Sequence, residues 1–121
     1  MTYDDNNIFA KILRGEIPCK KIYDDKYVLS FYDINPQKKI HALVIPKGKY
    51  IDLDDFASKA SDKEILGLIK GINLVAKKLQ ISSDTGKGYR TLANISENGG
   101  QEVPHLHFHL FGGEKVGKMV E

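Results

Sequence analysis

Apolar and polar residues follow two rhythms along this chain, and each change of rhythm marks an element. Ile65, Leu68, Ile69, Ile72, Val75, Ala76 and Leu79 recur at helical spacing, which predicts a long helix with one apolar face ending near Gln80. Directly before it, Ser61-Asp62-Lys63-Glu64 has the Ser-x-x-Glu pattern in which hydroxyl and carboxylate satisfy free N–H groups of the first turn. Gly67 and Gly71 stand four apart on this helix, where the missing side chains admit another backbone, either within the chain or from a second subunit. A shorter helix is predicted over 8–14, capped by Asn7 and closed by Gly15, with Ile8, Phe9, Ile12 and Leu13 on one face.

Elsewhere the pattern is that of strands. Residues 21–23 and 27–32 are β-rich and separated by Asp24-Asp25-Lys26, which predicts a hairpin. A third strand spans 40–45 and stops at Pro46; a polar connector over 51–60 holds a short helical turn. Strands over 89–94 and 103–111 flank the turn Ser96-Glu97-Asn98-Gly99-Gly100, and Gly112-Gly113 closes the second of them. Strand pairs around one long helix, without regular βαβ alternation, place the chain in the α+β class with a mostly antiparallel sheet. One domain over 1–121 is expected, with 114–121 as a flexible tail.

Composition narrows the function classes. The 18 Lys and Arg against 16 Asp and Glu leave a net charge of +2, too little for a global field that binds nucleic acid. Cys19 is the single cysteine, which excludes an internal disulfide and multi-cysteine metal sites and fits a reducing compartment. The N-terminal residues Tyr3-Asp4-Asp5-Asn6-Asn7 are polar and acidic, and no stretch approaches the roughly 20 apolar residues of a membrane span, so a cytoplasmic protein without membrane contact is expected.

Three of the 4 histidines fall in Pro104-His105-Leu106-His107-Phe108-His109-Leu110-Phe111. On a strand, His105, His107 and His109 project to one side and Leu106, Phe108 and Leu110 to the other. Successive rings then stand roughly 6.5 to 7 Å apart, close enough to act on one small group. Such a row can ligate zinc with a position open to water. It can also perform covalent catalysis, the central imidazole attacking phosphorus while its neighbours donate to the phosphoryl group. The turn Asn98-Gly99-Gly100-Gln101 offers backbone N–H groups to an anion, whereas Glu97 and Glu102 could orient zinc ligands, so both chemistries stay open on these residues alone.

The histidine run resembles the histidine-triad (HIT) proteins, whose signature is His-φ-His-φ-His-φ-φ with φ apolar, and residues 105–111 fit it at every position. The resemblance extends to the nucleotide-binding HINT branch through Ile8-Phe9, Ile12-Leu13-Arg14-Gly15-Glu16-Ile17-Pro18, Phe31-Tyr32-Asp33-Ile34-Asn35-Pro36, His41-Ala42-Leu43-Val44-Ile45-Pro46-Lys47, Asn94 and Gly99-Gly100-Gln101. It implies a five-stranded antiparallel sheet with one long helix and a short N-terminal helix, and a homodimer in which the helix bearing Gly67 and Gly71 is part of the joint. It further implies that His107 is the nucleophile on an α-phosphate, that His109 contacts phosphoryl oxygens and assists the leaving group, and that His105 and His41 support the site. Asp33 would hold ribose hydroxyls and Asn94 the scissile phosphate. Gly100 and Gln101 would belong to the lining, and Ile8, Phe9, Phe31 and Ile34 would form the purine slot.

The activity so implied is hydrolysis of purine nucleoside 5′-phosphoramidates or related nucleotidyl conjugates, releasing a monophosphate such as AMP. No cofactor or metal is required, although zinc could settle on the histidine row. Two other readings accompany it: a purine-nucleotide-binding regulatory module with incidental hydrolysis, and a dinucleoside-polyphosphate hydrolase, whose branch shares the signature. One departure stands out. HINT proteins often carry a small hydroxyl residue where this chain has Glu102, and a carboxylate beside a phosphate is repulsive unless it points away or meets a cation. The tail after Gly113 also lacks the aromatic-proline ending of some members, which bears on leaving-group preference.

Overall fold

The computed structural model describes residues 2–120. Its elements in chain order are α1 (Ile8–Leu13), β1 (Lys21–Asp24), β2 (Val28–Tyr32), β3 (Ile40–Pro46), α2 (Leu53–Lys59), α3 (Asp62–Lys78), β4 (Arg90–Leu92) and β5 (Phe108–Gly112). The five strands form one antiparallel sheet in the order β1-β2-β3-β5-β4, the α+β arrangement expected. Both helix starts are capped as the sequence predicts: the Asn7 side chain accepts from the Ala10 N–H, and Ser61 and Glu64 form a reciprocal capping box on α3. The expected turn in the connector is a full helix, α2, capped by Asp52.

Strand parity divides the sheet into two faces. Ala42 and Val44 of β3 and Leu110 of β5 join Leu68, Ile72, Val75 and Ala76 of α3 in one core cluster. Leu43 and Ile45 point the other way and pack with Phe9, Leu29 and Phe31 beneath α1. β3 is buried on both faces, which explains its unbroken apolar run. Gly67 and Gly71 serve packing within the chain: a Cβ added at Gly67 would meet the Tyr27 ring at 2.5 Å, and one at Gly71 would meet Val28 at 2.7 Å. Of the two uses open to this glycine pair, close packing within the chain is the one realised.

The histidine segment departs most from expectation. A strand over 103–111 is predicted, yet the ladder covers only Phe108–Gly112. The register explains why: Val44 faces Phe108, so continuing would oppose Leu106 to Pro46, which has no N–H to donate. The Leu106 N–H turns instead to the Tyr50 carbonyl. The side-chain partition survives, since Leu106, Phe108 and Leu110 all pack in the cluster under α3. The segment after Gly113 has no helix or strand as far as Val120, and Arg90 donates to the carbonyls of Gly117 and Lys118. Among the described residues no helix is long and apolar enough to cross a membrane.

Candidate active site

Side chains from three strands and two loops converge on the open part of the second face. His109 of β5 lies opposite Leu43, and His41 of β3 lies opposite Phe111, so the two histidines are diagonal neighbours. Their rings meet through His41 Nε2 and His109 Nδ1 at 2.9 Å. His107 follows at 5.1 Å from His109 between ring centroids. Phe9 sets its ring edge-on to His107 at 5.0 Å, and Phe111 lies parallel to His109 at 5.6 Å. These aromatic contacts fix the orientation of the rings.

Burial holds all four imidazoles neutral near pH 7. It lowers the pKa of His105 and of His109 to about 4, and for His109 the neighbouring His107 and His41 add to the shift. His107 and His41 are lowered for the same reason, with Asp33 opposing in both cases. With the rings neutral, hydrogen bonds determine which nitrogen carries each proton. The Gln37 N–H donates to His41 Nδ1 at 3.2 Å, so the His41 proton is on Nε2 and is donated to His109 Nδ1. His109 therefore carries its proton on Nε2. His107 Nδ1–H donates to the His105 carbonyl at 2.7 Å, which leaves the Nε2 lone pair of His107 free. His105 Nε2–H donates to the Pro46 carbonyl at 2.9 Å, and Tyr3 donates its hydroxyl to His105 Nδ1 at 2.6 Å. One bare nitrogen and one N–H donor, on adjacent rings, are thereby set by the backbone.

A cavity of about 500 Å³ opens beside these rings, lined by His107, His109, His41, Asp33, Asn94 and Glu102 among others. Phe9 and Gly100 line it too, so eight expected or flagged positions meet in one place. His105 does not reach it: fully buried at 0% exposure, it acts on the site through its carbonyl and its neighbours. Gln101 is a brace, its amide donating to the carbonyls of Ile51 and Val103 while its oxygen accepts from the Ser96 N–H. Phe31 is buried under Phe9, and Ile8 lines neither this cavity nor the next. Ile34, 86% exposed, lines an adjoining groove of about 710 Å³ that shares Asp33 and His41 with the cavity. The anion cradle expected at the glycine turn is partly closed, because the Gly100 N–H donates to Glu97 and the Gln101 N–H to Ser96. A larger cavity of about 800 Å³, near Ile81 and Arg90, contains no histidine.

Tyr3, Gln37 and Phe111 belong to the site and are not among the site residues the sequence predicts. Phe111 had a signal, since it shares parity with the histidines; Tyr3 and Gln37 had none, because one reaches His105 across 102 positions and the other acts through its backbone. Asp33, His41 and His109 also offer ligand atoms within 4.8 Å of one another. They fit a metal poorly. Freeing the His41 Nε2 lone pair would move its proton to Nδ1, against the Gln37 N–H that already points there.

Comparison with known proteins agrees with this geometry. A family model described as the HIT domain matches residues 14–116. A HIT-like protein of Azospirillum brasilense is 51% identical over 119 residues, covering 98% of this chain and 95% of its own. A HIT family hydrolase from Clostridium thermocellum superposes with a TM-score of 0.85 at 34% identity, covering 98% of this chain and 99% of its own. A histidine triad protein from Clostridium difficile gives 0.81 at 38% identity over 97% and 98%. With His107 and His109 of the signature run on one cavity and the family match spanning most of its length, the chain belongs to the HIT family.

Proposed function

We propose that this protein is a hydrolase of nucleotidyl conjugates that cleaves purine nucleoside 5′-phosphoramidates through a nucleotidyl-histidine intermediate. The observation that carries the reading is the His107 Nδ1–H bond to the His105 carbonyl, which leaves Nε2 as a neutral nucleophile facing the cavity. Its solved relatives from Clostridium thermocellum and Legionella pneumophila are described as HIT family hydrolases.

In the first step His107 Nε2 bonds to the α-phosphorus and the P–N bond breaks, the departing nitrogen taking a proton from solvent to leave as the amine. His107 becomes an imidazolium, whose Nδ1–H bond to the His105 carbonyl strengthens as charge develops. His109 Nε2–H donates to a phosphoryl oxygen; with a pKa of about 4 it acts as a hydrogen-bond donor and not as a cation. In the second step water bonds to phosphorus, the P–N bond to His107 breaks, and a proton returns to solvent with the monophosphate. Asp33 stands at the junction of cavity and groove, suited to ribose hydroxyls, and the groove beyond it, with Tyr32 and Ile34, takes the base. A homodimer fits the outer side of α3, where Leu66 is 56% and Ile69 60% exposed.

Mass spectrometry of protein quenched during turnover of adenosine 5′-phosphoramidate tests the reading: a nucleotidyl adduct on His107 is expected. Binding of AMP without turnover of any conjugate would favour the regulatory module.

A further inference from the structure

The cavity has an unusual charge inventory for a site that works on phosphate. No Lys or Arg lines it, and its imidazoles are neutral, so its formal charges are the carboxylates of Asp33 and Glu102. The two carboxylates differ in their surroundings. Asp33 opens onto the groove that also holds Lys20 and Lys39, and its Oδ2 lies 3.5 Å from His41 Nε2. Glu102 is exposed, lines the cavity only, and makes no ion pair among the described residues.

Position gives this asymmetry a consequence. His107 is buried at 7% exposure, so a phosphorus attacked by its Nε2 expels the leaving group away from the floor and toward the open mouth. Glu102, exposed where His107 is buried, lines the solvent side of the same cavity with no cation paired to it, and it also favours the protonated form of His107, as a carboxylate within electrostatic reach must. A tri- or tetra-anionic chain leaving through this mouth meets repulsion from both carboxylates. A departing amine that carries a further ammonium group is attracted.

We propose, building on the phosphoramidase reading, that Glu102 determines leaving-group charge: the site takes phosphoramidates whose amine bears a second, protonated amino group and discriminates against polyphosphate leaving groups. Glu102 acts on specificity and not on the bond-making atoms. At a partly solvated rim the attraction amounts to about three- to tenfold in kcat/KM, and it weakens as salt shortens the screening length.

The test compares three probes on the full chain: the adenosine 5′-phosphoramidate of 1,3-diaminopropane, that of n-butylamine, which has the same length without the charge, and diadenosine tetraphosphate. The wild type is expected to prefer the diamine conjugate over the butylamine conjugate by about three- to tenfold at low salt, with the ratio shrinking at high salt, and to turn over the tetraphosphate least. Glu102→Gln brings the ratio to about one, and Glu102→Lys inverts it. The wild-type ratio needs no variant, so a poorly folding mutant does not decide the outcome. Equal efficiency on the two phosphoramidates, or a preference unchanged in Glu102→Gln, overturns this inference while leaving the phosphoramidase reading intact. Absence of turnover on all three overturns that reading and this inference together.

Discussion

The two faces of the central sheet are made from the same strands and obey different physics. Under α3, Ala42, Val44, Leu106 and Leu110 form a dry apolar layer in which shape and volume decide stability. On the opposite face His41 and His109 occupy the alternate positions of the same two strands, and there the direction of each N–H decides what the surface can do. One face tolerates exchange among residues of similar volume. The other tolerates little, because each ring is fixed by a partner from elsewhere: Gln37, the His105 carbonyl, Pro46 or Tyr3.

Substitutions on either side should separate these roles. The largest effect is expected from His107→Ala, which removes the nucleophile and should lower kcat at least about ten-thousandfold while circular dichroism and melting change little. Leu110→Ala, three positions along and on the other face, is expected to do the reverse: about 2 to 5 kcal/mol lost in urea denaturation, with turnover at low temperature near that of the wild type. A Leu110→Ala protein that is as stable as the wild type would break the comparison.

Acidity probes the imidazole face as a whole. His105 and His109 titrate near 4 when folded and near 6.5 when unfolded, so between those values the unfolded chain binds more protons. Stability contributed by these two rings should be complete above about pH 6.5 and fall as pH drops toward 4, and because burial lowers His41 and His107 as well, the slope in a series of denaturant titrations should reach at least about two protons. The acid limb of kcat/KM should also lie below 6.5, since burial lowers the pKa of the nucleophile. The smallest effect is expected from Tyr3→Phe. It leaves the buried His105 Nδ1 without a donor, at about 1 to 2 kcal/mol of stability and less than about tenfold of turnover.

Legibility in the sequence followed distance along the chain. The capping box at Ser61, the Asn7 cap and the helix from Asp62 were readable because each depends on residues within one or two turns. The end of β5 was not. Whether Leu106 continues a ladder depends on the residue opposite it, and that residue is Pro46, 60 positions earlier. Gln101 was expected at the lining and became a brace, because its amide finds the Ile51 carbonyl in a connector far from it in sequence.

The alternation of imidazole with Leu and Phe over 105–111 determined by itself that one side of this segment would be core and the other chemistry, since side-chain parity is a property of extended backbone. Which nitrogen is a nucleophile, which is a donor, and that His105 stands behind the site and not in it were decided only by folding. Proton position on a neutral ring is set by whatever group meets its other nitrogen, and those groups arrive from β3, the loop before it and the N-terminal segment.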